Sequence, residues 1–158
     1  MAVVDAAVAG DLLENQPASD VPMCSLGEVL AESLRNGKSV RDGAGLSVLR
    51  LTSIRGRWID LTATKTGDWS SVPDWKRFLV QDGDYLVARG NGSKDLVGRG
   101  GMVRDCAEEI AFPDTMIRIR PNKTLLLSSY LQHVWESRKV REQIERAAKT
   151  TAGIWKLS

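Results

Sequence analysis

A chain of 158 residues with 42% hydrophobic and 27% charged residues can bury a core and is too apolar to stay disordered. No apolar run approaches the roughly 20 residues of a membrane-spanning helix, and no basic stretch opens the chain as a secretory signal would. The net charge of +2 is a sum over segments of opposite sign, so it excludes no class of partner by itself.

Residues 2–14 are rich in Ala, with only Gly10 to weaken them, and predict a short helix. Residues 15–22, with Pro17 and Pro22 among turn formers, predict a linker. Ser25 followed by Glu28 has the spacing of a capping box and predicts a helix over 26–35 that Asn36-Gly37 ends. Residues 1–34 contain six acids and no Lys or Arg, whereas 35–57 hold Arg35, Lys38, Arg41, Arg50, Arg55 and Arg57 against Asp42 alone. Within that basic segment, residues 46–54 and 58–62 alternate and are β-branched around Arg55-Gly-Arg57, which predicts a hairpin.

Residues 65–75 read as a loop holding Trp69 and Trp75. Phe78-Leu-Val80, Asp82-Gly-Asp84 and Tyr85-Leu-Val-Ala88 read as strand, turn and strand. A Gly-rich loop at 89–94 follows, then a strand at 96–103, with Arg89, Lys94, Arg99 and Arg104 set against Asp95. Short strands are expected at 110–112 and 115–120. Ser129 and Gln132 then suggest a capping box for one long basic helix over 128–148. The tail 150–158 reads as a loop entering an apolar segment. The expected class is α+β: a mixed, mainly antiparallel sheet flanked by helices.

Signals for catalysis are weak throughout. His133 is the one histidine, and it has no Cys or second His at ligand spacing, so a surface or core-edge role is expected for it. Gly37-Lys38-Ser39 resembles the end of a phosphate-binding loop, but Glu32 stands where that motif requires Gly. Pro113-Asp114 is not followed by the acid and Lys that a magnesium-dependent nuclease needs. No strand-linked Gly-x-Gly-x-x-Gly is present for a nucleotide or methyl donor. Cys24 and Cys106 lack CxxC spacing and read as free thiols of a reducing cytoplasm. The chain is therefore expected not to be an enzyme and to need no cofactor or metal. The Gly-rich loop has two readings, a tight turn between strands or a backbone approach to phosphate. The five tryptophans likewise read mainly as core or interface, with base stacking as the alternative.

The order of several segments resembles a known family. Val48-Leu-Arg-Leu-Thr-Ser-Ile54 with Gly56 and Ile59-Asp60 looks like the early strand pair of type I restriction–modification specificity-subunit target recognition domains. Asp82-Gly-Asp-Tyr-Leu-Val-Ala-Arg-Gly-Asn-Gly-Ser93, continuing to Val97-Gly98, is similar to that family's strand and loop. Ile117-Arg-Ile-Arg120, the helix over 130–144 and Thr151-Ala-Gly153 match its closing order. The resemblance implies residues 1–22 as the end of a spacer helix plus linker, and 23–158 as a single recognition domain that stops before the next spacer helix.

It also implies a sequence-specific reader of half of a split double-stranded DNA site, working beside modification (methyltransferase) and restriction subunits, with no membrane association. The DNA-facing set expected on this basis is Arg41, Arg50, Ser53, Arg55, Lys65, Arg89, Asn91, Ser93, Lys94, Arg99, Lys149 and Thr151. Lys and Arg would neutralise phosphates, while Asn91 and the arginines have the donor geometry for base edges. A β-rich RNA-binding module and a non-catalytic interaction protein are the alternatives.

Overall fold

Tyr85–Ala88 (β6) is buried at all four positions because two apolar clusters press on its two faces. Successive strand side chains point to opposite sides. Tyr85 and Val87 accordingly join Met102, Ile119 and Leu131, while Leu86 joins Val48, Leu49, Phe78, Phe112 and Met116. This explains a run with no polar alternation: β6 sees no solvent on either side. The computed structural model describes residues 24–157. The expected helix over 2–14 and the linker over 15–22 lie outside the described residues.

Around β6 a six-stranded sheet forms in the order β1-β10-β6-β8-β4-β3. Its other members are Arg35–Asn36 (β1), Ile54–Arg55 (β3), Trp58–Ile59 (β4), Gly100–Met102 (β8) and Met116–Ile119 (β10). All neighbours are antiparallel except β4 and β8, which run parallel through Trp58 and Met102. A second sheet pairs Asp42–Leu49 (β2) with Thr64–Gly67 (β5) and, in parallel, with Ile110–Ala111 (β9). A third joins Gly90–Asn91 (β7) to the C-terminal hairpin of Lys149–Thr151 (β11) and Ile154–Lys156 (β12). Helices Ser128–Glu136 (α1) and Arg138–Ala147 (α2) complete the fold, which is α+β with mostly antiparallel sheet, as expected.

Several expected elements take a different form, each for a local reason. The capping box of Ser25 and Glu28 is present, with Ser25 N–H and Oγ bonded to Glu28 at 2.6 and 2.8 Å. The helix it opens is only a 3-10 turn, Leu26–Val29. Beyond it the chain extends, because Leu30 bridges Pro121 and Ala31 N–H donates to Arg120 O. The run 46–54 breaks at Arg50 into β2, a 3-10 turn at Leu51–Ser53 and β3; the hairpin around Gly56-Arg57 is real but short. Part of the expected loop over 65–75 is β5, and the strand expected at 78–80 is instead the end of a 3-10 turn, Trp75–Phe78. The stretch 96–103 is a strand only at Gly100–Met102.

The long helix divides at Ser137, whose backbone is extended at ψ 151° and whose hydroxyl caps α2 by accepting from Val140 N–H. Gln132 does not serve a capping box. Its amide donates to Arg57 O, which ties α1 to the turn between β3 and β4. His133 reinforces the same contact: Nδ1 donates to Ser129 O at 2.7 Å, leaving Nε2 to accept from Arg57 Nη2 at 3.1 Å. His133 is thus an exposed packing residue.

Glycine is required at Gly98, where φ is +71° and a Cβ would stand 2.6 Å from Ile144 Cγ2. The turn of the C-terminal hairpin places Ala152 and Gly153 at φ 49° and 77°, the left-handed pair of a type I′ turn. Asn is favoured over Ala at the first of these positions. Ala152→Asn is expected to raise stability by about 0.5–1 kcal/mol, read as an upward shift of the thermal midpoint.

Candidate nucleic-acid interface

The third sheet brings distant parts of the basic chain together. Trp155 pairs with Asn91, Lys156 with Gly90, and Leu157 N–H donates to Arg89 O at 2.8 Å. The C-terminal hairpin therefore lies along the Gly-rich segment. Across the hairpin, Lys149 stands directly opposite Lys156 and Thr151 opposite Ile154. Directly opposed residues share a face, so the two ammonium groups lie on one side, and like charges so placed repel. Among the described residues neither lysine has an ion-pair partner, which leaves the pair free for an external anion.

Arg89, at the edge of this sheet, is half-buried. Among the described residues its Nε has no hydrogen-bond partner, and the bond from Nη1 to Asp114 O is stretched to 3.5 Å. It lines a shallow cavity of about 350 Å³ with Asn91, Gly92, Asp114, Thr115, Ile154 and Lys156. Gly92 has open space where a Cβ would be, so an incoming group can approach its backbone closely. Asn91 Oδ1 accepts from Ser93 N–H at 3.1 Å, a local turn that turns the loop outward. Exposed Lys94 lies with Nζ 4.9 Å from the Trp155 ring centre. Six of the expected residues (Arg89, Asn91, Ser93, Lys94, Lys149 and Thr151) thus share one small sheet and its loop.

The other six are distributed differently. Lys65 is bound to Asp42 at 2.6 Å and to Val40 O at 3.3 Å on the β2–β5 ribbon. The bond and charge of Lys65 hold the Asp42 carboxyl below the usual range. Arg50 Nε donates to Thr64 O at 3.2 Å on the same ribbon, and Arg41 is exposed there. Arg55 is exposed on β3. Arg99 Nε donates to Asp95 O at 2.9 Å, and the residue is among those lining a different cavity.

Ser53 is the clear exception to the expected surface set. It is fully buried, with Oγ donating to Ala63 O at 2.7 Å and accepting from Arg50 N–H at 2.9 Å. The 3-10 turn folds it inward, and its hydroxyl is committed to holding that turn.

This chain is 31% identical over 160 residues to the type I restriction enzyme EcoKI specificity subunit of Escherichia coli K12, covering 96% of the chain. By sequence it is similar to a segment of the type I restriction enzyme specificity subunits. A second relative, the StySPI specificity subunit of Salmonella potsdam, is 27% identical over 132 residues and covers 82% of the chain. The chain spans about a third of the length of these curated relatives, 34% of the first and 28% of the second. A solved chain from work on assembly and conformational transition of the type I R-M system aligns at a TM-score of 0.46. That alignment has 14% identity and covers 85% of this chain and 33% of that one. No protein-family model matches the chain.

Sequence reasoning missed Lys156, which faces Lys149 and lines the cavity beside Arg89. A signal for it was present: Ala152-Gly153 between Thr150-Thr151 and Ile154-Trp155 is a two-residue turn between β-formers. It also missed the pairing of Trp58 with Arg104, whose guanidinium lies 4.0 Å from the exposed indole's centre. Cys24 and Cys106 are free thiols, and burial pushes the Cys106 thiol up. Among the described residues no His, Cys, Asp and Glu group could hold a metal, and no helix is long and apolar enough to cross a membrane.

Proposed function

We propose that the chain is a target recognition domain that binds double-stranded DNA sequence-specifically and reads half of a bipartite site. The observation that carries this reading is the docking of β12 on β7, which sets Arg89 and Lys156 in the lining of one shallow cavity that Asp114 also lines, with Lys149 across the hairpin from Lys156 and Lys94 over the Trp155 ring. Phosphates satisfy such cations, while Asn91 and Ser93 on the same loop supply short polar groups for base edges in the major groove. The likeness to specificity subunits supports the assignment over the RNA-binding alternative and over an interaction protein without nucleic acid. In this reading the domain carries no catalytic step. It directs modification (methyltransferase) and restriction subunits to their site in the cytoplasm, and it needs no cofactor.

Fluorescence anisotropy with a labelled mixed-sequence duplex tests the reading. Four cations neutralising phosphates give a log–log salt slope of about −3.6, so affinity is expected to fall on the order of 100-fold between about 50 and 200 mM salt. Selection from a random duplex pool is expected to enrich one short motif. Absence of salt-sensitive duplex binding, or tighter binding to a structured RNA of equal length, would count decisively against it.

A further inference from the structure

The 3-10 turn Trp75–Phe78 sorts its side chains by polarity. Residues three apart on such a turn share a side, so Trp75 and Phe78 pack on the larger core while Lys76 and Arg77 stay exposed. Trp75, Lys76 and Arg77, with Arg35, Pro73 and Asp74, line an open cavity of about 570 Å³. The Lys76 ammonium lies 5.8 Å from the Trp75 ring centre, so its charge sits beside a wall of this cavity. The Arg77 guanidinium rests against Phe78 at 5.3 Å and meets Asp74, another lining residue, only at 4.0 Å. Both partners of that last contact are more than half exposed, so water screens it and it neutralises little.

Arg35 adds a charge that the fold leaves unbalanced. Strand β1 sets it directly opposite Arg118. Glu32 gives its short contacts to Arg120 at 2.7 Å and Arg118 at 2.9 Å, and meets Arg35 only at 3.4 Å. Asp84 is taken by Arg120. Two carboxylates therefore serve three guanidiniums, and the surplus positive charge falls at Arg35, in the cavity wall. Lys76 and Arg77 add two charges against the one of Asp74. An apolar or cationic ligand would leave this excess uncompensated, whereas a compact oxyanion offset by it loses little on leaving water.

We propose that this cavity is a second phosphate site, in which Lys76 and Arg77 hold the anion and Arg35 adds its field from behind them. For the source of the phosphate the proposal rests on the DNA-reading assignment: a backbone phosphate of the bound duplex. Thr115, three residues before Arg118 in the chain, lines the cavity beside Arg89. The two cavities are thus anchored about 10 Å apart along β10 at the usual rise per strand residue. Exposed Lys38, whose N–H donates to Phe112 O, lies on the segment that joins them. The major groove is about 12 Å wide, so this spacing suits the two phosphate rows of one duplex. A free phosphate carries the same chemistry, and the experiment separates the two.

The test uses the full chain and the double variant Lys76→Gln with Arg77→Gln, which keeps both side-chain stems in place. The indole N–H signal of Trp75, assigned with Trp75→Phe, is followed in proton–nitrogen spectra. Inorganic phosphate, a mixed-sequence duplex and polyglutamate are added in turn, each against chloride at equal ionic strength. Duplex affinity is measured in parallel by anisotropy at several salt concentrations. If the phosphate belongs to DNA, the duplex shifts the Trp75 signal, and the double variant loses about tenfold in affinity and about 0.9 in salt slope. If the ligand is free, inorganic phosphate shifts the signal, the double variant abolishes that shift, and duplex affinity is the same in both proteins. Either result supports the site. A double variant that alters neither the phosphate shift nor duplex binding overturns it, as does a Trp75 shift with polyglutamate alone, which would assign this face to an acidic protein segment. Salt-sensitive duplex binding that survives unchanged in the variant would leave the DNA-reading assignment standing. A phosphate shift lost in the variant, without duplex binding by either protein, would support the site and sink that assignment.

Discussion

Replacing Asp84 with Ala is expected to destabilise the protein by about 3–5 kcal/mol, a large share of the 5–15 kcal/mol typical of a domain. Asp84 is fully buried and accepts from Arg120 Nε and Nη2 at 2.7 Å each, and from Gln81 N–H at 2.9 Å. Glu32 supplies the second anion, bonding Arg120 at 2.7 Å and Arg118 at 2.9 Å. Arg118 is 2% exposed and also donates to Leu79 O at 2.5 Å. Burial, then the neighbouring Arg120, lowers its pKa; Arg120 is held above its usual value by Asp84 and Glu32 in spite of its own burial.

Three cations, Arg35, Arg118 and Arg120, therefore share two carboxylates. Without Asp84 the cluster retains an extra buried positive charge that no remaining side chain can match. Asp84→Asn keeps the shape and one acceptor and is expected to cost less than Asp84→Ala. Urea unfolding followed by tryptophan fluorescence measures both. With a slope near 2 kcal/mol/M, the midpoint of Asp84→Ala is expected to fall by about 2 M. A fall no larger than that of an exposed control such as Asp74→Ala would show that the cluster contributes little net stability.

This cluster also marks the limit of what could be read from the chain. Met116-Ile-Arg-Ile119 announces a strand, and it is one, but its alternation suggests an exposed polar face at Arg118. Instead Arg118 turns toward the larger core, 5.2 Å from the Phe112 ring centre, and is matched by Glu32 from a segment more than eighty residues earlier. The same recruitment explains the lost helix over 26–35. Its capping box forms, but Leu30, Ala31 and Glu32 are drawn out along residues 118–121, and local propensity yields to long-range pairing. β6, β9, β10 and the hairpin at Gly56-Arg57 were legible because their patterns are local.

The candidate interface was legible where charge and glycine lie close in sequence, from Arg89 to Lys94. It was not legible at Lys156, whose place depends on pairing with Gly90, nor at Ser53, whose polarity suggests exposure until the 3-10 turn buries it. Trp69 and Trp135 meet the expectation of packing roles, Trp69 buried against Phe78 at 5.9 Å and Trp135 against Tyr85.

Arg89→Ala and Lys94→Ala are each expected to weaken duplex binding about tenfold at about 100 mM salt, the worth of one charge-assisted contact. Each is also expected to flatten the slope of log affinity against log salt by about one. Folding should change little. Lys94 is exposed, and the bond from Arg89 Nη1 to Asp114 O is stretched, so neither loss opens the core. Lys156→Ala sharpens the test because its two effects have opposite signs. It removes a repulsion from Lys149, which should leave stability unchanged or raise it by about 0.2–1 kcal/mol, while it removes a phosphate partner and lowers affinity. A purely structural role for the hairpin would move stability and binding in the same direction. Paired anisotropy titrations at several salt concentrations and thermal melts on the three variants separate the cases. Unchanged affinity and slope in all three would remove this sheet from the interface and leave the β2–β5 ribbon, with Arg41 and Arg50, as the surface to examine.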